Sequence, residues 1–210
     1  SMMAASATLC SVASIVSSTV ADVIAYFEAR GEGFEVILVN DGGQDGSWEV
    51  IRDLAADDPR IVAVRFLHNY GQHNANLAGF AEARGAWVVT MDDDGQNPDG
   101  EISALVDAAQ AGDHDVVFGR FDSKKSSLSR AIGTRLMSGL NRRIFGKPKD
   151  LAVTNCRLLR RDVVQRILDS GNTFPYITGQ ALLYSASPGN ADVRHRSRAG
   201  GQSTYNLRKI

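Results

Sequence analysis

The feature that most constrains this chain is a succession of short apolar runs, each ending in a turn cluster. FEVILV at 34–39 is nearly uninterrupted in its apolarity and leads directly into DGGQDGS. A run of that length without alternation marks a strand buried on both faces. IVAVRFL at 61–67, AWVVTM at 86–91 and DVVFG at 115–119 repeat the theme. Helical patterns separate them. Ser47 is placed to cap a helix that turns Trp48, Ile51 and Leu54 inward, and a second helix spans Asn74–Arg84, ended by Gly85. Pro98 suits the first turn of a third helix, with Ile102, Leu105, Val106 and Ala109 on one face. Strands alternating with helices of this length predict parallel pairing with right-handed crossovers. Such sheets bind ligands at the carboxyl ends of their strands, and two acidic turns, at Asp41 and at Asp92–Asp94, fall there.

Composition narrows the class. The chain has 210 residues, 43% hydrophobic and 22% charged, which suits one α/β domain with a sizeable core. Cys10 and Cys156 form no CxxC pair, so neither a disulfide framework nor a zinc pattern is expected, and a reducing compartment fits. No run reaches the ~18 apolar residues needed to span a bilayer. The first twenty residues lack a basic n-region and are not read as a signal peptide, while the closing YNLRKI reads as part of a continuing element.

The net charge of −1 hides a split. From Arg120 to Lys149 nine Lys/Arg face one acid, and from Val193 to Ile210 five Lys/Arg face none, leaving −14 on the rest. A basic second half suits phosphate or an anionic surface. Within it, Leu128, Ile132, Leu136, Leu140 and Ile144 recur every four residues, with Arg130, Arg135, Arg142 and Arg143 on other faces. This is either a surface helix with solvated cations or a basic amphipathic helix against a membrane or phosphate. Its apolar stripe could instead pair with a second copy of the chain. LAVTNCRLLRRDVVQRILDSG predicts a short extended piece and a helix closed by Gly171, and QALLYSA and ADVRHR read as late strands. His68, His73 and His195 have no partner motif, and Trp48 and Trp87 read as core.

The chemistry concentrates in VVTMDDDGQNPDGEI at 88–102. Three adjacent carboxylates repel one another unless positive charge is present. Asp92, Asp94 and Gln96 stand at alternate positions, so an extended loop presents them on one side, as oxygen donors of the kind magnesium and manganese take. A solvated acidic turn, or Asp93 acting as a helix cap, is the plainer reading of the same spacing.

Three segments, EVILVNDGGQDGSWEVI, NYGQHNANLAGFAEARGAWVVTMDDDGQNPDGEI and VVFGR, together resemble family 2 glycosyltransferases of the GT-A fold. Within that family they are similar to the dolichol- and undecaprenyl-phosphate sugar transferases, and the tail RHRSRAGGQSTYNLRKI resembles the stretch preceding the membrane segments of the bacterial members. The resemblance runs from about Phe34 to Ile210. It implies an α/β, mostly parallel sheet flanked by helices, with 1–120 as the nucleotide-sugar half and 121–210 as the acceptor half of a single domain. It also implies Asp41, Asp92 and Asp93 at the nucleotide, and Asp92, Asp94 and Gln96 at a Mg2+ or Mn2+ ion. Arg120, Arg130, Arg198 and Ser203 would lie at the acceptor phosphate, with Asp94, Arg120 and Arg198 the expected catalytic set.

The implied reaction is inverting transfer of a sugar from a nucleotide sugar, UDP rather than GDP by preference, to a polyprenyl phosphate at the cytoplasmic face of the membrane. No nucleic-acid partner is expected. Two further readings stay open: a non-processive transferase with a soluble or glycan acceptor, and a catalytically silent nucleotide-sugar-binding module. The chain departs from the family at CSVASIVSSTV, where a Pro-x-Tyr-Asn-type turn normally grips the base, and at TNCRLLRR, which replaces an SGFR-like stretch. It has no Gln-x-x-Arg-Trp motif of processive synthases.

Overall fold

The computed structural model of the chain describes residues 3–9, 13–43, 45–92, 98–121, 139 and 142–193. Seven strands form one sheet: β1 (Met3–Leu9), β2 (Phe34–Asn40), β3 (Ile61–Arg65), β4 (Trp87–Asp92), β5 (Val116–Phe121), β6 (Arg157–Arg160) and β7 (Pro188–Val193). Their order is β3-β2-β1-β4-β6-β5-β7. The described helices are α1 (Ala13–Arg30), α2 (Ser47–Asp57), α3 (Gln72–Glu82), α4 (Pro98–Gly112), α5 (Arg161–Asp169) and α6 (Ile177–Tyr184).

Both faces of the sheet are covered, which is why β2 reads as one apolar run. Val36 and Leu38 face α1, α2 and α4, packing with Val16, Phe27, Ile51, Ile102 and Leu105. Ile37 and Val39 face the opposite side, with Ala75, Phe80, Val163, Ile167 and Ile177. Burying each such side chain contributes roughly 1.5–3 kcal/mol. Trp48 and Trp87 pack against the first cluster, in keeping with the core reading.

Three expectations are corrected. The central strand β1 was not expected: MAASATL is built of small residues with weak strand propensity, yet it pairs in parallel with both β2 and β4. QALLYSA belongs to helix α6, whose residues from Ile177 to Leu182 are all buried, so no amphipathic period marks it. The sheet is mostly parallel, as expected: β1 pairs in parallel with β2 and β4, β2 with β3 and β5 with β7, while β6 runs antiparallel to β4 and β5. The N-cap position of α2 is Gly46, at φ 82°, so Ser47 is the first helical residue instead of the cap, and its N–H donates to the Asp45 carboxylate at 3.2 Å.

Candidate functional site at the carboxyl edge of the sheet

The register gathers the acidic turns. Leu9 of β1 lies opposite Asn40 of β2, and Thr8 lies opposite Asp92 of β4. Asp41 and Asp92 therefore leave the sheet at one edge with a single strand between them, about 10 Å apart at two strand spacings.

Asp41 is 3% exposed, and both its oxygens are engaged. Oδ1 accepts the Tyr70 N–H at 2.7 Å and Oδ2 the Gly71 N–H at 2.8 Å. The carboxylate thus fixes the loop between β3 and α3 and sets where α3 begins. Gly42 makes this approach possible. At φ 73° it has a left-handed backbone, and a Cβ there would come within 2.5 Å of the His68 carbonyl carbon. Beside this clamp, Leu67 and Tyr70 are 89% and 55% exposed. At the other end of α3 the Glu35 carboxylate accepts the Arg84 and Gly85 N–H groups at 2.6 and 3.0 Å.

A buried polar chain runs beneath the edge from α3 to α6. Asn155 Nδ2 donates to Gln72 Oε1 at 2.9 Å, and Thr90 Oγ1 donates to the Asn155 carbonyl at 2.6 Å. Arg157 Nε donates to Thr90 Oγ1 and its Nη1 to Thr178 Oγ1, each at 3.0 Å. Arg157 is 0% exposed. Burial, reinforced by the charge of Arg157, holds the His73 imidazole below its ordinary range, and its ring meets Tyr176 edge-on at 5.5 Å. Sequence reasoning named TNCRLLRR only as a departure from the family and missed this network. The signal available was an arginine inside a short apolar strand.

On the far side of the edge, Arg120 and Asp192 are register partners of β5 and β7. Nε and Nη2 of Arg120 donate to the two carboxylate oxygens at 2.7 and 3.1 Å. That hydrogen bond holds the Asp192 carboxyl below its usual range.

The structure thus brings Asp41, Asp92 and Arg120 to one edge. Asp93, Asp94, Gln96, Arg130, Arg198 and Ser203 lie outside the described residues. Most of the basic amphipathic stripe does too. Its described end, 142–145, is helical, with Arg142, Arg143 and Ile144 exposed. Among the described residues no group of three His, Cys, Asp or Glu could hold a metal, and no helix is long and apolar enough to cross a membrane.

A helix-covered mixed sheet with acidic turns gathered at its carboxyl edge is the arrangement of GT-A folds. The chain belongs to glycosyl transferase family 2, which it matches over residues 10–168. It is 36% identical over 189 residues to an undecaprenyl-phosphate 4-deoxy-4-formamido-L-arabinose transferase of Edwardsiella ictaluri, covering 89% of this chain and 58% of that protein. The corresponding transferase of Aeromonas hydrophila is 35% identical over 186 residues, covering 88% and 57%. The chain thus spans a little over half the length of these relatives. Among solved structures, glucosyl-3-phosphoglycerate synthase from Mycobacterium tuberculosis, in complex with Mn2+, UDP and phosphoglyceric acid, superposes with a TM-score of 0.65 at 15% identity, covering 96% of this chain and 72% of that one. S. aureus TarS 1-349 in complex with UDP-GlcNAc gives 0.61 at 14%, covering 98% and 62%. At those identities the likeness speaks of the fold, and the GT-A expectation holds.

Proposed function

We propose that this chain transfers a sugar, with inversion, from a nucleotide-sugar donor to a polyprenyl phosphate at the cytoplasmic face of a membrane. The observation that carries the reading is the shared edge: acidic turns at the ends of β2 and β4, and an arginine at the end of β5. The undecaprenyl-phosphate specificity in the names of the relatives supports the acceptor, and UDP in the structural neighbours supports a uridine donor.

Residues 1–120 form the donor half. Asp41 shapes the loop beside the nucleotide through Tyr70 and Gly71, and Asp92 and Asp93 border the diphosphate. Asp92, Asp94 and Gln96 offer three hard oxygen donors, the chemistry Mg2+ and Mn2+ select, so the donor set fits such an ion. When bound, the ion supplies positive charge that stabilises the departing diphosphate. Residues 121–210 form the acceptor half, whose Arg130, Arg198 and Ser203 hold the lipid phosphate together with Arg120 at its border. A phosphate oxygen is already ionised near neutral pH, so its attack on the anomeric carbon needs no strong base. The arginines act by holding it in line. The exposed Arg142 and Arg143 of the helical turn at 142–145 rest on the membrane surface.

The reading is tested by incubating the protein with Mn2+, a panel of UDP- and GDP-sugars, and either undecaprenyl phosphate or soluble acceptors. A lipid-linked product is expected. Product on soluble acceptors alone would replace the lipid acceptor with a glycan one, and nucleotide binding without any product would make the chain a binding module.

A further inference from the structure

We propose that the loop joining α5 to α6 is a membrane wedge: Phe174, together with Ile144, enters an anionic bilayer whose headgroups meet Arg142 and Arg143. The inference rests on the membrane-face reading above and adds to it the apolar contact that cations alone do not supply.

The topology carries this loop to the edge where the site lies. β6 runs against β4, so Arg160 ends it opposite Trp87 at the amino edge. α5 starts there, with the Arg161 N–H donating to the Ala86 carbonyl at 2.9 Å. α6 ends at that amino edge too, where the Ser185 hydroxyl and the Ala186 N–H donate to Asp115, just before β5. Residues 170–176 therefore lie at the carboxyl edge. Two contacts agree with this. Thr178 meets Arg157, the register partner of Thr90, and the Tyr176 ring meets His73 in the first turn of α3.

Phe174 is held out from a fixed base. The Ser170 hydroxyl accepts from Gln180 Nε2 at 2.8 Å, which closes the loop onto α6. Pro175 is buried and restricts the residue before it to extended backbone. Between these points Phe174 is 93% exposed, the most of any large hydrophobic side chain among the described residues, and no charged residue occurs from 170 to 176. A single exposed apolar side chain is ordinary. Here a second stands on the adjoining segment. The Phe145 ring fills the space that Gly179 leaves bare, where a Cβ would come within 2.6 Å of its Cζ, and packs on Tyr176 with ring centres 5.7 Å apart. That packing docks the helical turn at 142–145 on the start of α6. Its Ile144 is 57% exposed, and the exposed Arg142 and Arg143 before it join no ion pair among the described residues.

Cations and bare apolar side chains on one surface suit the boundary of an anionic bilayer. The guanidinium groups stay among the headgroups, while the Phe174 ring and the Ile144 side chain leave water for the acyl region. A second copy of the chain fits this surface poorly, because a two-fold contact would bring Arg142 and Arg143 against their own counterparts. The wedge also suits the acceptor proposed for this edge, a polyprenyl phosphate whose chain stays in the bilayer. It holds the carboxyl edge of the sheet at the level where that phosphate lies.

The test gives wild-type protein, F174W and F174S vesicles of phosphatidylcholine, alone or equimolar with phosphatidylglycerol. Trp48 and Trp87 pack against the core, so the added indole carries the signal. F174W emission is expected to shift to the blue on the anionic vesicles and to be quenched by bromines on the lipid acyl chains. F174S, melting like wild type, is expected to sediment with them about tenfold more weakly, the scale of one aromatic side chain returned to water. Emission from F174W that neither shifts nor is quenched, or equal sedimentation of F174S and wild type, overturns the proposal. Equal wild-type binding to the two kinds of vesicle overturns the part given to Arg142 and Arg143. Self-association that F174S abolishes, without vesicle binding, replaces the bilayer with a second copy. Transfer of sugar to detergent-dispersed undecaprenyl phosphate needs no bilayer, so its absence with wild-type protein overturns the function reading, whatever the vesicles show.

Discussion

Arg120 and Asp192 stand side by side at the carboxyl ends of β5 and β7, joined through both prongs of the guanidinium fork at 2.7 and 3.1 Å. The side chains are 52% and 73% exposed, so the pair adds little to stability. Its value is orientation, presenting an arginine at the edge where the acceptor phosphate is proposed to bind. R120A should leave the thermal midpoint close to wild type yet lower transfer to undecaprenyl phosphate by about a hundredfold or more, the scale of one lost transition-state contact. A melt and a product assay on one preparation separate the two effects.

Asp41 is read as serving two ends at once. Removing its carboxylate strips acceptors from the Tyr70 and Gly71 N–H groups and releases the start of α3. D41A should cost about 1–3 kcal/mol in urea denaturation and weaken UDP binding in calorimetry. D41N, which keeps one acceptor oxygen, should cost less.

Gly42 tests the same clamp from the backbone. A methyl group there meets the backbone of His68 and Asn69 at 2.5–2.9 Å, on a residue at φ 73°. G42A should therefore destabilise the protein by about 1–3 kcal/mol, read from urea denaturation, whereas G31A, at φ 63° with open space around it, carries only the conformational part.

How far the sequence reveals this architecture depends on how local each signal is. FEVILV was legible because burial on two faces leaves an unbroken apolar run, and the helix over 98–112 because burial on one face leaves a helical period. MAASATL was not, since its place at the centre of the sheet comes from β2 and β4 on either side of it. α6 hid for the opposite reason, being buried on nearly every side. Of the site, Asp41 and Asp92 were legible as acids at strand ends. Arg157 and Asn155 become neighbours of Thr90 and Gln72 only through the antiparallel return of β6. The pairing of Arg120 with Asp192 likewise requires strands 72 residues apart in sequence.

His73 gives a pH signature. Burial first, then the charge of Arg157, depresses its imidazole below the ordinary 6.5. As pH falls through that ordinary value, the unfolded chain takes up a proton that the folded chain resists. The stability contributed by neutral His73 is thus complete above pH 6.5 and declines below it, until the folded-state value is passed. H73F should flatten the stability profile between about pH 5 and 7, measured by urea midpoints across that range.

The central claim, metal-assisted transfer of a sugar from a nucleotide to a polyprenyl phosphate through the loop after β4, is tested most directly by one comparison. Wild-type protein and D94A are each given Mn2+, a labelled UDP-sugar and undecaprenyl phosphate, and label in the lipid fraction is counted. Wild-type protein should load the lipid and D94A should leave it at background. Equal labelling by D94A, or an unlabelled lipid fraction with wild-type protein across the whole donor panel, would contradict the account.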